Sequence, residues 1–243
     1  MLKTLNKNLS FNDCVALEKQ HLCKIVVISK KQNIQTIQKA YKQGFRHFGE
    51  SYAQEAILKQ KALIKLCPDI IWHFVGGIQS NKLKLIVNNF SYLHSVDSLS
   101  ILNKIILYKK KQHIQQGTNS NTNILKIFLQ INISNDTKKS GFLVTNLQDN
   151  TQVMSKDFLE SLSLINNFSE IYLQGFMTMP FLYNDLNKVE SDFKKLQLLS
   201  LQYSKQMGHK LETSMGTSCD YKAALKSGSN WLRLGEIILG SRA

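Results

Sequence analysis

The stretch KIVVISKKQNIQTIQKAYKQGFRHFG, residues 24–49, reads as a strand, a helix and a second strand in direct succession. Residues 24–30 form a β-branched apolar run, which predicts a buried strand. From Asn33 to Gln43 the apolar residues recur with helical spacing, and Gly44 is placed to end the helix. FRHFG predicts the next strand. Such units, repeated, build a parallel α/β fold.

The same alternation continues along the chain, after a first helix at about residues 12–21. Further strands are predicted at IIWHFVG, FSYLHSV, 124–133, IYLQGFMTM, LETSM and WLRLG. Helices are predicted at about 52–66, 80–88, 99–110, 156–166, 184–207 and 219–226. A polar loop is expected between residues 133 and 156, and KKKQHIQQGTNSNTN, residues 109–123, is expected to be a loop. Eight strand–helix alternations predict one domain over residues 1–243, a (β/α)8 TIM-type barrel.

A doubly wound open sheet is the rival architecture. The glycine fingerprint Gly-x-Gly-x-x-Gly is absent after the first strand, which argues against a dinucleotide-binding version of that sheet.

The chain carries 31 basic and 17 acidic residues, a formal charge of +14. Only Arg46, Arg233 and Arg242 are arginines. Nucleic-acid-binding proteins favour arginine, because its guanidinium group makes bidentate hydrogen bonds to bases and phosphates. We interpret the lysines as a solvated coat and predict no nucleic-acid partner. The alternative, binding of DNA or RNA through this charge, predicts retention that falls steeply with salt.

Four cysteines, Cys14, Cys23, Cys67 and Cys219, show no Cys-x-x-Cys pair, and the six histidines show no metal-ligand spacing. We therefore predict reduced thiols, a cytoplasmic location and no metal site. The amino terminus is too polar for a signal peptide. No run approaches eighteen apolar residues, so no membrane span is expected.

In a barrel of this type the active face lies at the carboxyl ends of the strands. Lys30 ends the first strand, where partial desolvation would lower the pKa of its amine and favour attack on a carbonyl to give a Schiff base. The alternative is an ordinary solvated loop residue beside Lys31.

The segments after the seventh and eighth strands are candidates for a phosphate site. Ser218 stands at or just before a helix start, Gly235 allows close approach, and the N–H groups of Gly235 and Glu236 could face an anion. The alternative is a tight turn with ordinary caps. A lysine beside a phosphate site suggests a phosphorylated aldehyde, either pyridoxal 5′-phosphate (PLP) or a sugar phosphate, and the residues alone do not separate the two.

Six collinear motifs nearly span the chain: the strand ending in Lys30, then RHFGESYAQE, WHFVGGIQSNK, INISNDTKKSGF, GFMTMP, and SMGTSCD followed by WLRLGEIILGSR. With these motifs the chain resembles the YggS/PROSC family of PLP-binding homeostasis proteins. The resemblance implies the fold-type III PLP barrel, as in the amino-terminal domain of alanine racemase.

The resemblance also implies the site. Lys30 would hold PLP as a Schiff base, and Arg233 would reach the ring nitrogen or the phosphate edge. The phosphate positions would be Ser218, Gly235 and Glu236, with Ser214 nearby. The chain departs from the family pattern at Ser51, where asparagine is usual, at Glu236, where threonine is usual, and in lacking a proline after Lys30.

The implied function is PLP homeostasis without catalysis, so no catalytic residue is predicted. If Arg233 contacts the ring nitrogen, that nitrogen stays unprotonated and carbanion chemistry is restrained. The chain ends at Ala243, so we expect no second domain to supply the tyrosine that alanine racemase uses. We further expect a monomer that passes PLP to PLP-dependent apoenzymes. The alternative is a PLP-dependent amino-acid racemase of the same fold type.

Overall fold

The computed structural model describes residues 10–19, 23–116, 124–145, 153–180 and 185–240. The strands in this part of the chain are β1 (Lys24–Ile28), β2 (His47–Glu50), β3 (Ile71–Phe74), β4 (Tyr92–Val96), β5 (Leu125–Asn132), β6 (Phe142–Thr145), β7 (Val153–Met154), β8 (Ile171–Met177), β9 (Glu212–Ser214) and β10 (Trp231–Leu234). The helices are α1 (Phe11–Lys19), α2 (Ile34–Lys42), α3 (Ala53–Leu63), α4 (Leu83–Asn89), α5 (Leu99–Gln116), α6 (Lys156–Asn166), α7 (Leu186–Met207), α8 (Tyr221–Lys226) and α9 (Glu236–Leu239).

Eight of the strands close into a parallel barrel. The order is β4-β3-β2-β1-β10-β9-β8-β5, and pairing of β4 with β5 completes the ring. Every neighbouring pair in the ring is parallel. The predicted (β/α)8 barrel is confirmed, and the open sheet is excluded because no barrel strand is left as an edge.

The first unit shows why these residues fold as the spacing predicts. The side chain of Asn33 caps α2 by accepting a hydrogen bond from the Thr36 N–H, 2.8 Å away. Ile37 and Ala40 form the buried face of the helix. Gly44 follows at a φ of 108°, a left-handed conformation that favours glycine and ends the helix as predicted. The cap at Asn33 starts the helix without a proline after Lys30.

The barrel strands carry two apolar layers. An outer layer packs against the helices and includes Leu232 and Leu234 of β10. An inner cluster lies inside the barrel and consists of Val26, Tyr92, Phe128, Met177 and Trp231. Because side chains alternate along a strand, Arg233 shares the inner face of β10 with Trp231. The barrel interior therefore contains a polar side chain, Arg233, which belongs to the candidate site.

Two sequence expectations were wrong. Residues 111–116 continue α5 past the predicted helix end at about residue 110 instead of forming a loop, and in this extension His113 Nδ1 lies 2.9 Å from Glu170 Oε1. The expected polar loop after β5 contains β6, which pairs in parallel with the end of β5, and β7, which pairs antiparallel with β6. The first segment consists mainly of polar residues that are good helix formers. The second is formed by tertiary pairing, which local periodicity does not show. The remainder of each predicted loop, residues 117–123 and 146–152, lies outside the described residues.

Candidate functional site

The carboxyl ends of β9, β10 and β1 lie side by side at one edge of the barrel. In the strand register, Ser214 faces Trp231 and Val27 faces Leu234. A Cβ placed on Gly235 would lie 3.2 Å from the carbonyl oxygen of Ile28, two residues before the half-buried Lys30. The chain segments that carry Lys30, Ser218 and Gly235 thus meet at the same mouth, as the barrel prediction requires.

Ser218 lies in a turn that is held by its neighbours. Asp220 Oδ1 accepts from the Thr217 N–H at 2.6 Å and from the Thr217 hydroxyl at 2.8 Å. Asp220, not Ser218, is the N-cap residue of α8, and Ser218 precedes it by two positions. Gly216, at a φ of 99°, leads into the turn. The half-buried Ser218 hydroxyl has no hydrogen-bond partner among the described residues, so it is available to a ligand.

Gly235 is the N-cap residue of the short helix α9, and Glu236 is its first residue. The first N–H groups of a helix have no intrahelical acceptor, so those of this turn are available to an anion. The Glu236 side chain is exposed. Its carboxylate can therefore stay in solvent while its backbone N–H contributes to the site.

Arg233 is buried next to this turn without an ion-pair partner in the described part of the chain. Its Nη1 donates to Ser214 Oγ at 2.7 Å, and its Nη2 donates to the Thr178 carbonyl at 3.0 Å. Burial lowers the pKa of the guanidinium to about 10, a value at which it is still charged at neutral pH. A buried cation bound to neutral acceptors fits a ligand that supplies negative charge or a lone pair, as PLP does through its phosphate and ring nitrogen.

Ser214 is fully buried behind Arg233. Besides accepting from Arg233, its Oγ lies 2.9 Å from His94 Nδ1. The structure thus places Ser214 in contact with the guanidinium of Arg233.

An ion-pair cluster that contacts the residues on either side of Lys30 was not predicted from the sequence. Lys59 Nζ donates to the Ser29 carbonyl at 2.7 Å, to Glu50 Oε1 at 2.8 Å and to Glu55 Oε1 at 2.6 Å. Ser29 Oγ also donates to Glu50 Oε1, at 2.7 Å. Burial raises the pKa of Glu50, and the hydrogen bond from Lys59 opposes that rise. The cluster fixes the backbone on the amino side of Lys30.

The carboxyl side of Lys30 is fixed by the same cluster, because the N–H of Lys31 donates to Glu55 Oε1 at 2.6 Å. Lys31 has a φ of 60°, an unusual conformation for a residue with a side chain. The Glu55–Lys59 spacing of four residues on α3 was the sequence signal that could have suggested this cluster.

A row of histidines inside the barrel was also missed. His47, His73 and His94 lie on β2, β3 and β4, and their rings are joined by contacts of 2.9 Å. His73 and His94 are fully buried. The three histidines lie on three separate strands, and no spacing in the sequence links them.

Three further features of the described residues bear on the sequence analysis: the state of the cysteines, possible metal ligands and the length of apolar helices. The four cysteines are free thiols, and Cys219 is the exposed one. In the described ranges no group of three or more His, Cys, Asp or Glu side chains is arranged so that it could hold a metal ion, and no helix is long and apolar enough to cross a bilayer.

Comparison with known proteins defines the class of this barrel. Residues 14–243 match the sequence model of the alanine racemase amino-terminal domain. Alanine racemase of Clostridium difficile shares the fold at 13% identity, with a TM-score of 0.65 over 93% of this chain and 56% of that one.

Two further comparisons are more specific. The pyridoxal phosphate homeostasis protein of Synechocystis is 36% identical over 90% of this chain and 91% of its own length, and that of Schizosaccharomyces pombe is 32% identical over 90% and 84%. PipY of Synechococcus elongatus, solved with PLP bound, is 26% identical with a TM-score of 0.73, and the match covers 95% of this chain and all of PipY. The chain belongs to the pyridoxal phosphate homeostasis proteins, a family of the alanine racemase amino-terminal-domain class.

Proposed function

We propose that this protein binds PLP at the mouth formed by β9, β10 and β1 and takes part in PLP homeostasis. The observation that carries the proposal is the buried Arg233, a cation without an ion-pair partner among the described residues. Arg233 lies on β10, which pairs with β1, the strand that precedes Lys30. The names of the relatives and the PLP bound to PipY support the same ligand.

The phosphate, the ring nitrogen and the aldehyde of the ligand each have a proposed counterpart at this mouth. The Ser218 hydroxyl and the N–H groups of Gly235 and Glu236 hold the phosphate. Arg233 donates to the ring nitrogen, with Ser214 behind it. The amine of Lys30 would hold the cofactor at its aldehyde carbon. When bound, PLP supplies an aldehyde for reversible covalent attachment and an electron-withdrawing ring.

We infer that the protein carries PLP without turning over amino acids. A permanent donor such as Arg233 keeps the ring nitrogen unprotonated and so weakens the ring as an electron sink. The relatives are named for homeostasis, which supports the same inference. The second candidate is a PLP-dependent racemase, and the shared fold of the alanine racemases favours it.

We further propose the setting in which the protein works. A single domain over residues 1–243 acts as a monomer and delivers PLP to PLP-dependent apoenzymes. The free thiols, three of them buried, fit the reducing cytoplasm.

The decisive experiment compares Lys30→Ala with Lys31→Ala. The protein is loaded with PLP, reduced with borohydride and digested, and the labelled peptide is mapped. We expect the label on Lys30, its loss in Lys30→Ala, and its retention in Lys31→Ala. Since Lys30 lies beyond the end of β1, we expect Lys30→Ala to keep the barrel fold, which circular dichroism of the variant checks. A label on another lysine would overturn the assignment of Lys30.

The racemase is tested separately with single enantiomers of alanine, serine, lysine and ornithine, read by chiral chromatography. Enzymes commonly turn over at about 1–10³ s⁻¹, and we expect no rate of that order. A rate near the lower end of that range that disappears in Lys30→Ala would favour the racemase over the carrier.

A further inference from the structure

Three histidine rings are joined end to end inside the barrel, and the last one reaches Arg233. His47 Nδ1 lies 2.9 Å from His73 Nε2, and His73 Nδ1 lies 2.9 Å from His94 Nε2. His94 Nδ1 lies 2.9 Å from Ser214 Oγ, which accepts from Arg233 Nη1 at 2.7 Å. We refer to these five residues as the interior chain.

The rings of the interior chain are neutral at neutral pH. Burial lowers the pKa values of His73 and His94 well below their usual range. Burial also lowers the pKa of His47, to about 4, with the nearby lysine charges adding to the effect. The titratable and charged groups that face the rings are Lys24 on β1, Tyr92 on β4, Lys126 on β5, Glu212 on β9 and Arg233 on β10.

Neutral rings in such a row must share one tautomer. A neutral imidazole has one N–H donor and one bare nitrogen acceptor. Each ring-to-ring contact joins the Nδ1 of one histidine to the Nε2 of the next, and one of the two must carry the proton. The three rings therefore carry their protons either all on Nε2 or all on Nδ1.

Arg233 decides between the two arrangements. A guanidinium only donates, so the oxygen of Ser214 accepts from it. Ser214 is fully buried, and Arg233 and His94 are the hydroxyl's partners among the described residues. If His94 Nδ1 also donated, the hydroxyl proton would be buried without an acceptor, which is costly. The hydroxyl therefore donates to His94 Nδ1, and all three rings carry their protons on Nε2.

We propose that His47, His73 and His94 are positioning residues for Arg233: they hold the Ser214 hydroxyl with its lone pair toward the guanidinium and so fix the donor that faces the ligand. The link to the ligand rests on the proposed function. The order of protons along the interior chain does not, because it follows from contacts within the protein.

The proton order is measured on the full chain without PLP, labelled with ¹⁵N-histidine. His47→Phe, His73→Phe and His94→Phe each remove one ring and assign the signals. At pH 7 we expect three rings protonated on Nε2 and bare on Nδ1, and Ser214→Ala should shift the Nδ1 signal of His94. A proton on the Nδ1 of any of the three rings would overturn the inferred order.

The positioning role is measured as affinity for PLP. His94→Phe and Ser214→Ala should each weaken binding roughly tenfold, because Arg233 loses a fixed acceptor. His209→Phe is the matched control. That half-buried ring is not part of the interior chain: its Nδ1 lies 3.1 Å from the Met207 carbonyl and its Nε2 lies 2.9 Å from the Leu173 carbonyl. Its removal should leave affinity unchanged.

Double variants separate positioning from a general loss of structure. In the Arg233→Gln background, His94→Phe should weaken PLP binding no further, since both changes act through the same guanidinium. Additive losses would overturn the positioning role, and Ser214→Ala supplies the same comparison if His94→Phe does not fold. If PLP does not bind through Lys30, the proposed function fails, and the tautomer measurement still decides the order of the interior chain.

Discussion

At the scale of single residues, the candidate site divides into groups that face a phosphate and groups that face a ring. Ser218 has a half-buried hydroxyl in a turn, without a partner among the described residues, whereas Arg233 is buried inside the barrel. The two residues should therefore respond differently when the ligand loses its phosphate.

We predict that Ser218→Ala weakens binding of PLP by about 1–2 kcal/mol and leaves binding of unphosphorylated pyridoxal unchanged, because one charge-assisted hydrogen bond is lost. Arg233→Gln should weaken both ligands if it contacts the ring nitrogen. Cys219→Ala, exposed in the same turn, is the matched control and should change neither. Titration of each variant with both ligands, followed by absorbance, makes the comparison. Equal losses for PLP and pyridoxal would show that Ser218 does not bind the phosphate.

Candidate site residues at strand ends could be predicted from the sequence. Residues that act by holding other residues in place could not. Lys30 and Gly235 are visible because each follows an apolar strand, and the barrel rule places strand ends together. Lys59 is on a helix and reaches Glu50 on another element. Such a contact depends on how α3 packs over β1 and β2, which no local pattern records.

At the scale of elements, Lys59 joins α3 to the ends of β1 and β2 through two hydrogen bonds, to the Ser29 carbonyl and to Glu50 Oε1. We predict that Lys59→Met destabilises the protein by about 3–5 kcal/mol at neutral pH, because Glu50 is left as an unpaired buried charge. Glu50→Gln combined with Lys59→Met should cost less than the sum of the single changes. Denaturant unfolding measures these differences, with the exposed Lys61→Met of α3 as the control that should change little.

The pH dependence of Lys59→Met has a definite sign. Burial raises the pKa of Glu50, and removing Lys59 takes away the hydrogen bond that opposes this rise. A carboxyl with a raised pKa destabilises the fold above that pKa, and the penalty disappears once the group is protonated. The loss of stability should therefore be larger at pH 8 than at pH 5. A loss that is the same at both would argue against a charged Glu50 as its cause.

Element types followed from the sequence more reliably than element ends. The helix over residues 34–42 was predicted because its cap, its apolar spacing and its terminal glycine agree. The segment after residue 110 was misassigned because its polar lysine and glutamines resemble a loop, although they are good helix formers. The β6–β7 pair was missed because it consists of short strands whose partners lie elsewhere in the fold.

At the scale of the whole molecule, the barrel interior is unusual in holding a continuous polar row beside an apolar cluster. His73 is stacked on Tyr92 with ring centroids 4.3 Å apart, and both rings lie close to Trp231. The sequence predicts the apolar strands that close the barrel, but no sequence pattern links the three histidines to one another. Only closure of the barrel brings the histidines on β2, β3 and β4 close enough to Ser214 on β9 and Arg233 on β10 to form a continuous row.

This buried row makes the stability of the whole fold dependent on pH. The folded pKa of His47 is about 4 and those of His73 and His94 are also depressed, whereas an unfolded histidine titrates near 6.5. As pH falls below 6.5 the unfolded chain takes up protons that the folded chain does not, so stability decreases; for His47 this ends below about pH 4. Glu50, with its raised pKa, acts in the opposite direction above its usual value of 4.5.

We predict a loss of stability between pH 6.5 and 5 whose slope approaches about 4 kcal/mol per pH unit from three unprotonated histidines, less the opposing contribution of Glu50. His47→Phe removes the half-buried one of the three bases, so the histidine part of the slope should fall by about one third. Urea unfolding at several pH values and constant ionic strength gives the slope for both proteins. If the two slopes are equal, His47 takes up its proton equally in the folded and unfolded chains, and its neutrality in the interior chain is refuted.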